Sequence, residues 1–288
     1  MAVSAALVKE LRERTGLGMM DCKKALAEVD GDMEKAIEEL RKKSSLKAAK
    51  KSGRITANGL LGVKFADDGS KAALVEINIE TDFAAKNDKF IAFVSKVAEE
   101  LYGSADGSLE NIAAALNDER ETLVQEIGEN ITIRRGQVMQ SPKGGLSYYI
   151  HGDQRRGALI ELSAGAADLG RDLAMHVVAI NPMVINSADV ATETLDKERE
   201  IYLSQAQDSG KPEEIIVKMV EGRVKKYLAE VSLLDQPFVK DGNVKVGALV
   251  KQAGVEVQGF LRFEVGEGIE VEELDFAAEV AAQLAESK

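Results

Sequence analysis

Few side chains in this sequence could do chemistry by their type and spacing: Cys22, His151, His176, and an acid beside an aromatic, Asp82-Phe83. Two histidines one helical turn apart can bind zinc, and a thiol beside an imidazole can act as a nucleophile. Neither arrangement is present. His151 falls in a hairpin turn, His176 inside a helical face beside Val177, and Cys22 lies far from both in sequence. Cys22 shares a helical pattern with Met19, Leu26 and Val29, which is the spacing of a packing residue. There is no Gly-x-Ser-x-Gly elbow and no Gly-x-x-x-x-Gly-Lys-Ser/Thr loop. Gly16-Leu17-Gly18 and Gly266-Glu267-Gly268 lack the third glycine of a dinucleotide loop. The reading is a binding protein, not an enzyme, with no catalytic residue, no metal site and no cofactor.

Asp82 and Phe83 are different in kind, because of where they fall. Val75, Ile77 and Ile79 alternate with Glu76, Asn78 and Glu80, the period of a half-buried strand. Beyond Thr81-Asp82-Phe83 comes a helix with Phe90, Phe93, Val94, Val97 and Leu101 on one face. Taken alone, this strand-to-helix corner has a plain reading: Thr81 or Asp82 caps the helix and Phe83 enters the core. The other reading is a wedge that the corner pushes into a partner.

The elements that must hold this corner are legible along the chain. Residues 1–54 read as three short helices and a linker. Ser4 caps the first, Gly16 and Gly18 end it, and Asp30-Gly31-Asp32 ends the second. Met33, Ala36, Ile37 and Leu40 mark the third, and Ser44 to Arg54 reads as the linker. Residues 55–140 form the first half of a core. Strands Leu60 to Phe65 and Ala72 to Ile79 flank the turn signal Asp67-Asp68-Gly69-Ser70, two helical patterns follow, and a further strand starts near Ile131. Residues 141–181 and 230–265 form a second half that repeats the plan: Ala158-Leu159-Ile160-Glu161-Leu162 parallels Ala73-Leu74-Val75-Glu76-Ile77. Its helix, with Leu173, Ala174, Val177 and Val178, parallels the one with Phe90, Ile91, Val94 and Ser95. The second copy has Asp168-Leu169 near its corner and no aromatic, which suggests that the first corner was specialised.

Residues 182–229 interrupt the second half as an inserted antiparallel helical hairpin, turning at Asp208 to Pro212. Its apolar seam makes a homodimer through 182–229 a candidate interaction. Strand patterns return at Val231 to Leu234 and Val255 to Glu264. Residues 266–288 form a C-terminal helical module with Leu274, Phe276, Ala277, Val280, Ala281 and Leu284. The fold class is therefore α+β: an N-terminal three-helix domain, a two-part core of antiparallel sheets with packed helices, the inserted hairpin and a C-terminal helix.

Composition narrows the partners. A net charge of −12 argues against direct nucleic-acid binding, which needs a basic surface. Residues 1–54 run the other way, with 13 Lys and Arg against 9 Asp and Glu, a net of +4 that leaves −16 for the rest. This basic segment is either a solvated helical surface or a docking face for an acidic partner. One cysteine excludes an intramolecular disulfide framework and fits a reducing compartment. No signal peptide, transit peptide or membrane-length apolar run is evident. The expectation is a soluble cytoplasmic protein with no membrane partner.

The run Leu7 to Leu26, followed by the Thr81-Asp82-Phe83 corner, closely resembles the elongation factor Ts family of bacteria. The resemblance continues through Gly128-Glu129-Asn130-Ile131-Thr132-Ile133-Arg134-Arg135, Gly210-Lys211-Pro212, Gly222-Arg223, Gln236-Pro237-Phe238-Val239 and Gly259 to Gly268, so it spans the chain in order. It implies a translation elongation factor that exchanges guanine nucleotide on elongation factor Tu, in its GDP-bound and nucleotide-free forms, by disturbing the Mg²⁺ and phosphate site. It also implies a ubiquitin-associated-like first domain. By resemblance Thr81, Asp82, Phe83 and Ala84 form the wedge. Many relatives carry Val where this chain has Ala84, and often Cys at Ile79. Met19, Met20, Lys23, Ile127 and Phe276 match positions that approach the Tu nucleotide domain or lie in the first core half. His151 and Val239 match positions that face the third domain of Tu. The alternative is a helix-binding adaptor or chaperone that uses residues 1–54 and 182–229 without exchange activity and tolerates loss of Asp82 and Phe83.

Overall fold

A computed structural model of the chain describes residues 3–207 and 212–270. Three helices open the chain: α1 (Ala5–Thr15), α2 (Met19–Glu28) and α3 (Met33–Lys51). The Ser4 hydroxyl accepts from Leu7 N–H and caps α1, and Gly16 ends it in the left-handed region. Asp32 caps α3 by accepting from Lys35 N–H. Leu11, Leu17, Cys22, Ala25, Leu26, Ala36 and Leu40 close a small core between them.

The expected linker is instead helix as far as Lys51. Its Ala and Lys residues are good helix formers, and no glycine intervenes before Gly53. The second half of α3 also has something to pack on. Ala48 belongs to the core of the first sheet, the Ser44 hydroxyl meets Gln125, and the Lys51 ammonium donates to the Gly128 carbonyl.

Strands β1 (Asn58–Phe65) and β2 (Lys71–Ile79) follow, then the single turn α4 (Asp82–Ala85) and helices α5 (Asp88–Gly103), α6 (Leu109–Ala115) and α7 (Asn117–Ile127). Strand β3 (Ile131–Gln140) completes an antiparallel sheet in the order β1-β2-β3. The second half runs β4 (Leu146–Ile150), β5 (Arg156–Leu162) and α8 (Ala167–Ile180), with the hairpin helices α9 (Thr192–Gln207) and α10 (Glu213–Val231) inserted next. Then come β6 (Pro237–Phe238), β7 (Asp241–Lys245), α11 (Val246–Gln252) and β8 (Val257–Glu264). The second sheet has the order β4-β5-β8, also antiparallel, and β6 pairs with β7.

The two sheets stack face to face. Leu61, Ala72, Leu74, Leu146, Leu159, Phe263 and Val265 form one buried layer between them. On the outer face of the first sheet, Val75, Ile77 and Ile79 pack against Phe90, Phe93, Val97 and Leu101 of α5. On the outer face of the second, Ala158, Ile160 and Leu162 pack against Leu173, Ala174 and Val177 of α8. The layers are therefore helix, sheet, sheet, helix.

This stacking overturns the half-buried reading of β2, which is buried on both faces. Glu76 and Asn78, expected toward solvent, are fully buried because the second sheet covers their side. Glu76 is held there by charge. Its carboxylate accepts from Arg134 (2.9 Å), Arg135 (2.5 Å) and the Gly266 backbone N–H (2.8 Å). Burial pushes its carboxyl pKa up, but the Gly266 N–H and the two arginines outweigh burial and hold it below the ordinary value.

The internal repeat extends further than the sequence pattern suggested. Ala73, Val75 and Ile77 face a helix, as do their counterparts Ala158, Ile160 and Leu162, while Leu74 and Leu159 both face the partner sheet. The register slips at equivalent places, between Glu76 and Ile77 and between Glu161 and Leu162. One difference is that Ile91 and Ser95 are exposed on α5 whereas Ala174 and Val178 are buried on α8. The second half adds Leu233, Phe238, Val246 and Val250 to its cluster.

The expected strand at Val231 to Leu234 is a single parallel bridge, Val184 with Ser232, followed by a 3₁₀ turn at Leu233–Asp235. Helix α10 runs to Val231, and the chain must turn at once to reach Pro237, which leaves no length for a strand. Most of the expected hairpin turn (208–211) and the C-terminal module from residue 271, Phe276 included, lie outside the described residues. No helix of the described residues is long and apolar enough to cross a membrane.

Candidate functional site

The corner between β2 and α5 keeps the capping half of its plain reading and departs from the other half. Thr81 is the N-cap of α4, in extended backbone, with its hydroxyl accepting from Ala84 N–H at 3.2 Å. Asn87 then caps α5 by accepting from Lys89 N–H. The chain thus closes one helix and opens another within a few residues. Ala85 is buried in the first core and Ala84 packs against it. Phe83 does not enter the core: it is 81% exposed, the most exposed of the large apolar side chains among the described residues.

Asp82 and Phe83 share one intramolecular partner. The Lys86 ammonium lies 3.0 Å from the Asp82 carboxylate and 5.3 Å from the centre of the Phe83 ring. The hydrogen bond from Lys86 is the main cause holding the Asp82 carboxyl pKa below its ordinary value. An exposed pair of this kind is weak and can be exchanged for contacts on another molecule.

The corner is braced from behind by a residue that the sequence reading quoted without assigning it a role. Glu129 accepts the Thr81 backbone N–H (2.9 Å) and the Thr81 hydroxyl (2.7 Å), one on each carboxylate oxygen. Gly128, in the left-handed region at φ 90°, ends α7 and turns the chain so that Glu129 can face Thr81. The next residue continues the bracket. Asn130 N–H donates to the Glu80 carboxylate at 2.6 Å, and the Asn130 amide donates to the carbonyls of Ser52 and Arg54. The only sequence signal was the unbroken run Gly128-Glu129-Asn130.

The first domain sits beside this corner. A Cβ on Gly16 would lie 3.5 Å from Lys89 Nζ and 3.9 Å from Glu126 Oε2, so the α1–α2 turn abuts the first turn of α5. Just past that turn, Met19 and Met20 are 58% and 62% exposed, and Lys23 is exposed one turn further along α2. Ile127 differs from them. It is half-buried and packs against the first core cluster, so most of its contact is internal.

His151 and Val239 belong to a second group. His151 is half-buried at the β4–β5 turn, with a ring nitrogen 3.3 Å from the Tyr149 hydroxyl. Val239 is 41% exposed just after β6. Tyr149 and Lys240, their neighbours, line one open cleft of about 460 Å³ with Asp168, Arg171, Asp172 and Met175. His176, read as a satisfied helix residue, is fully buried and positions Val239. A backbone N–H can only donate, so Nδ1, 3.1 Å from Val239 N, must be the acceptor; Nε2 then donates to Gln236 Oε1 at 2.8 Å.

Burial lowers the His176 pKa, against the opposing hydrogen bond with Gln236. A base whose folded pKa is depressed stabilises the fold fully above its unfolded value. That contribution is lost as pH falls below about 6.5 toward the folded value, by at most about 1.4 kcal/mol per pH unit. Titrating the imidazole by NMR is therefore expected to place its midpoint below 6.5, with the Val239 amide resonance moving in step. A midpoint above 6.5 would contradict the neutral, accepting ring.

The inserted hairpin presents a third surface. Ala206, Ile216 and Val224 are buried between α9 and α10, while Leu203 and Val217 are largely exposed along an apolar groove. Among the described residues, no group of three His, Cys, Asp and Glu side chains is placed to hold a metal ion.

The α+β scaffold anchors its strand-to-helix corner at Thr81 and Ala85 and leaves the aromatic between them in solvent. The family model described as Elongation factor TS matches residues 80–267, a span that begins at the corner and ends at the Glu267 turn. The chain is also similar over its full length to proteins named Elongation factor Ts. It is 54% identical to that of Hahella chejuensis, over 98% of this chain and 99% of the relative. It is 56% identical to that of Saccharophagus degradans, over all of both chains, and 53% to that of Teredinibacter turnerae. The chain belongs to the elongation factor Ts family, and so to the translation elongation factors.

Proposed function

We propose that this chain binds elongation factor Tu in its GDP-bound form and speeds release of the nucleotide, with Asp82 and Phe83 as the wedge. The observation that carries the reading is a phenylalanine 81% exposed on a corner whose backbone is anchored on either side of it, at Thr81 and Ala85. An isolated exposed aromatic is unfavourable in water, and burying it on a partner returns roughly 1.5–3 kcal/mol.

Exchange of this kind is linkage. A partner that prefers the nucleotide-free conformation weakens nucleotide binding by the same factor that nucleotide weakens its own. A shift on the order of 10⁴-fold requires about 5.5 kcal/mol of differential contact. Phe83 alone supplies about half of that at best, so Asp82 and a wider surface are needed. Thr81 and Ala84 complete the corner, and Met19, Met20 and Lys23 lie on the adjoining domain. Ile127, His151, Val239 and Phe276 are carried as further contact positions. The mechanism requires no covalent step and no cofactor of this chain. It acts on the Mg²⁺ and phosphate site of the partner, whose near-octahedral geometry tolerates little displacement.

The test is release of a fluorescent GDP from elongation factor Tu with and without this chain. Strong acceleration is the expected result. Binding to Tu without acceleration would favour the adaptor reading, in which residues 1–54 and the hairpin carry the function.

A further inference from the structure

We propose that Glu129 is a positioning residue for the wedge: its carboxylate, clamped on both donors of Thr81, sets the direction in which Phe83 leaves the surface. The inference rests on the exchange reading given above. Helix α4 is a single turn of four residues, too short to hold its own geometry. Phe83 is not packed into the core, so its direction is inherited from the backbone of Thr81 to Ala85. Two anchors hold that backbone. One end is the buried Ala85, and the other is Thr81, whose N–H and O–H both go to Glu129.

The Thr81 hydroxyl has one proton, and a carboxylate can only accept, so that proton points to Glu129. This leaves the hydroxyl lone pairs free for the Ala84 N–H. Glu129 therefore selects the Thr81 rotamer that caps α4. The bracket behind it does not depend on the corner. Gly128 is tied to Lys51, and Asn130 to Ser52, Arg54 and Glu80. Removing the Glu129 charge should loosen the corner while leaving the first core, to which Glu129 does not contribute, in place.

The experiment measures GDP release from elongation factor Tu as a function of exchange-factor concentration, separating maximal rate from half-saturating concentration. Glu129→Gln keeps the size of the side chain and turns one acceptor into a donor. Thr81→Val, nearly isosteric, removes the hydroxyl half of the same link from the other end, together with the cap on Ala84, and keeps the backbone N–H bond. Each is expected to lower the maximal rate roughly 10- to 100-fold, the scale of a misplaced reacting group, with a much smaller change in half-saturation. A merely structural role would not predict the second readout, which is non-additivity. In a background lacking both wedge side chains, Asp82→Ala with Phe83→Ala, Glu129→Gln should cost nothing further, because it acts only through the wedge. Additive losses, or an unchanged maximal rate in Glu129→Gln while Phe83→Ala is impaired, would overturn the proposal and leave the exchange reading intact. A wild-type chain that fails to accelerate release would overturn both. If Glu129→Gln lowers the thermal midpoint, ¹⁹F spectra of a fluorinated ring at Phe83, recorded in Glu129→Gln well below that midpoint, decide. A broadened or shifted ring resonance supports the brace, and an unchanged one refutes it.

Discussion

Phe83→Ala is expected to cut the maximal rate of GDP release from elongation factor Tu by roughly 10- to 100-fold, the equivalent of the 1.5–3 kcal/mol that burial of the ring supplies. The chain's own stability should hardly move. The ring lies in solvent, and its one notable intramolecular neighbour is the exposed Lys86 ammonium. Substitutions at such positions stay within about 0.5 kcal/mol, or about 1–2 °C in thermal midpoint. This separation of function from stability makes the prediction sharp. A core phenylalanine such as Phe90 would lose both, because it is fully buried against β2. Stopped-flow release of a fluorescent GDP, paired with thermal melts of the two proteins, checks both halves. A variant as fast as wild type would move the wedge elsewhere on the surface. A variant that melts far below wild type would show that the ring is packed in solution.

The second large effect concerns stability alone. Glu76→Ala is expected to destabilise the fold by about 3–5 kcal/mol, the cost of removing one partner from a buried ion pair. In a chain of this size that lowers the thermal midpoint by roughly 6–20 °C. Glu76 joins β2 to two other pieces, β3 and the turn after β8. Arg134 sits in the bulge of β3, Arg135 follows it, and Gly266 begins the turn after β8. Arg135 reaches on to the Glu264 carbonyl and the Glu267 carboxylate while lying over the Phe263 ring. Without Glu76 these arginines remain between the sheets with less to neutralise them.

The pH dependence follows with a definite sign. The Glu76 pKa is depressed in the folded state, so its contribution is present above the ordinary value of 4.5 and lost as pH falls through the folded value. The acid-induced loss of stability should therefore be smaller in Glu76→Ala than in wild type. Arg41→Ala serves as a control, since Arg41 and Asp118 form an ion pair that is mostly in solvent, and little change is expected there. Equal midpoints for Glu76→Ala and Arg41→Ala would refute the role assigned to the buried carboxylate.

Local order was open to reading wherever one segment's neighbours are its own. Period-two alternation marked β2, apolar runs flanking turn signals marked β1, β4 and β5, Ser4 and Gly16 marked the ends of α1, and Asp30-Gly31-Asp32 marked the break between α2 and α3. The repeat was visible because the same faces must be apolar in both halves. The corner itself, with its acid and aromatic, stood out by position and by family resemblance. Errors arose where a second layer decides. Ser44 to Lys51 has neither a strong apolar stripe nor a breaker, and it became helix because α7 offered it a surface.

What the sequence determined by itself is the class of most elements, the presence of an acid–aromatic corner, and the family. Each of these is written in spacings of a few residues or in ordered motifs. Only the tertiary structure decided which faces are buried and which side chains the corner leans on. Glu76 and Asn78 alternate like solvent-facing residues, yet a sheet from the other half of the chain covers them. Thr81 is held by Glu129, 48 residues away, and Glu76 by Gly266, 190 residues away. Periodicity reports only that a residue shares a face with its neighbours in sequence. It carries no information on what packs against that face, and so a buried carboxylate and an exposed phenylalanine become visible only once the sheets are stacked.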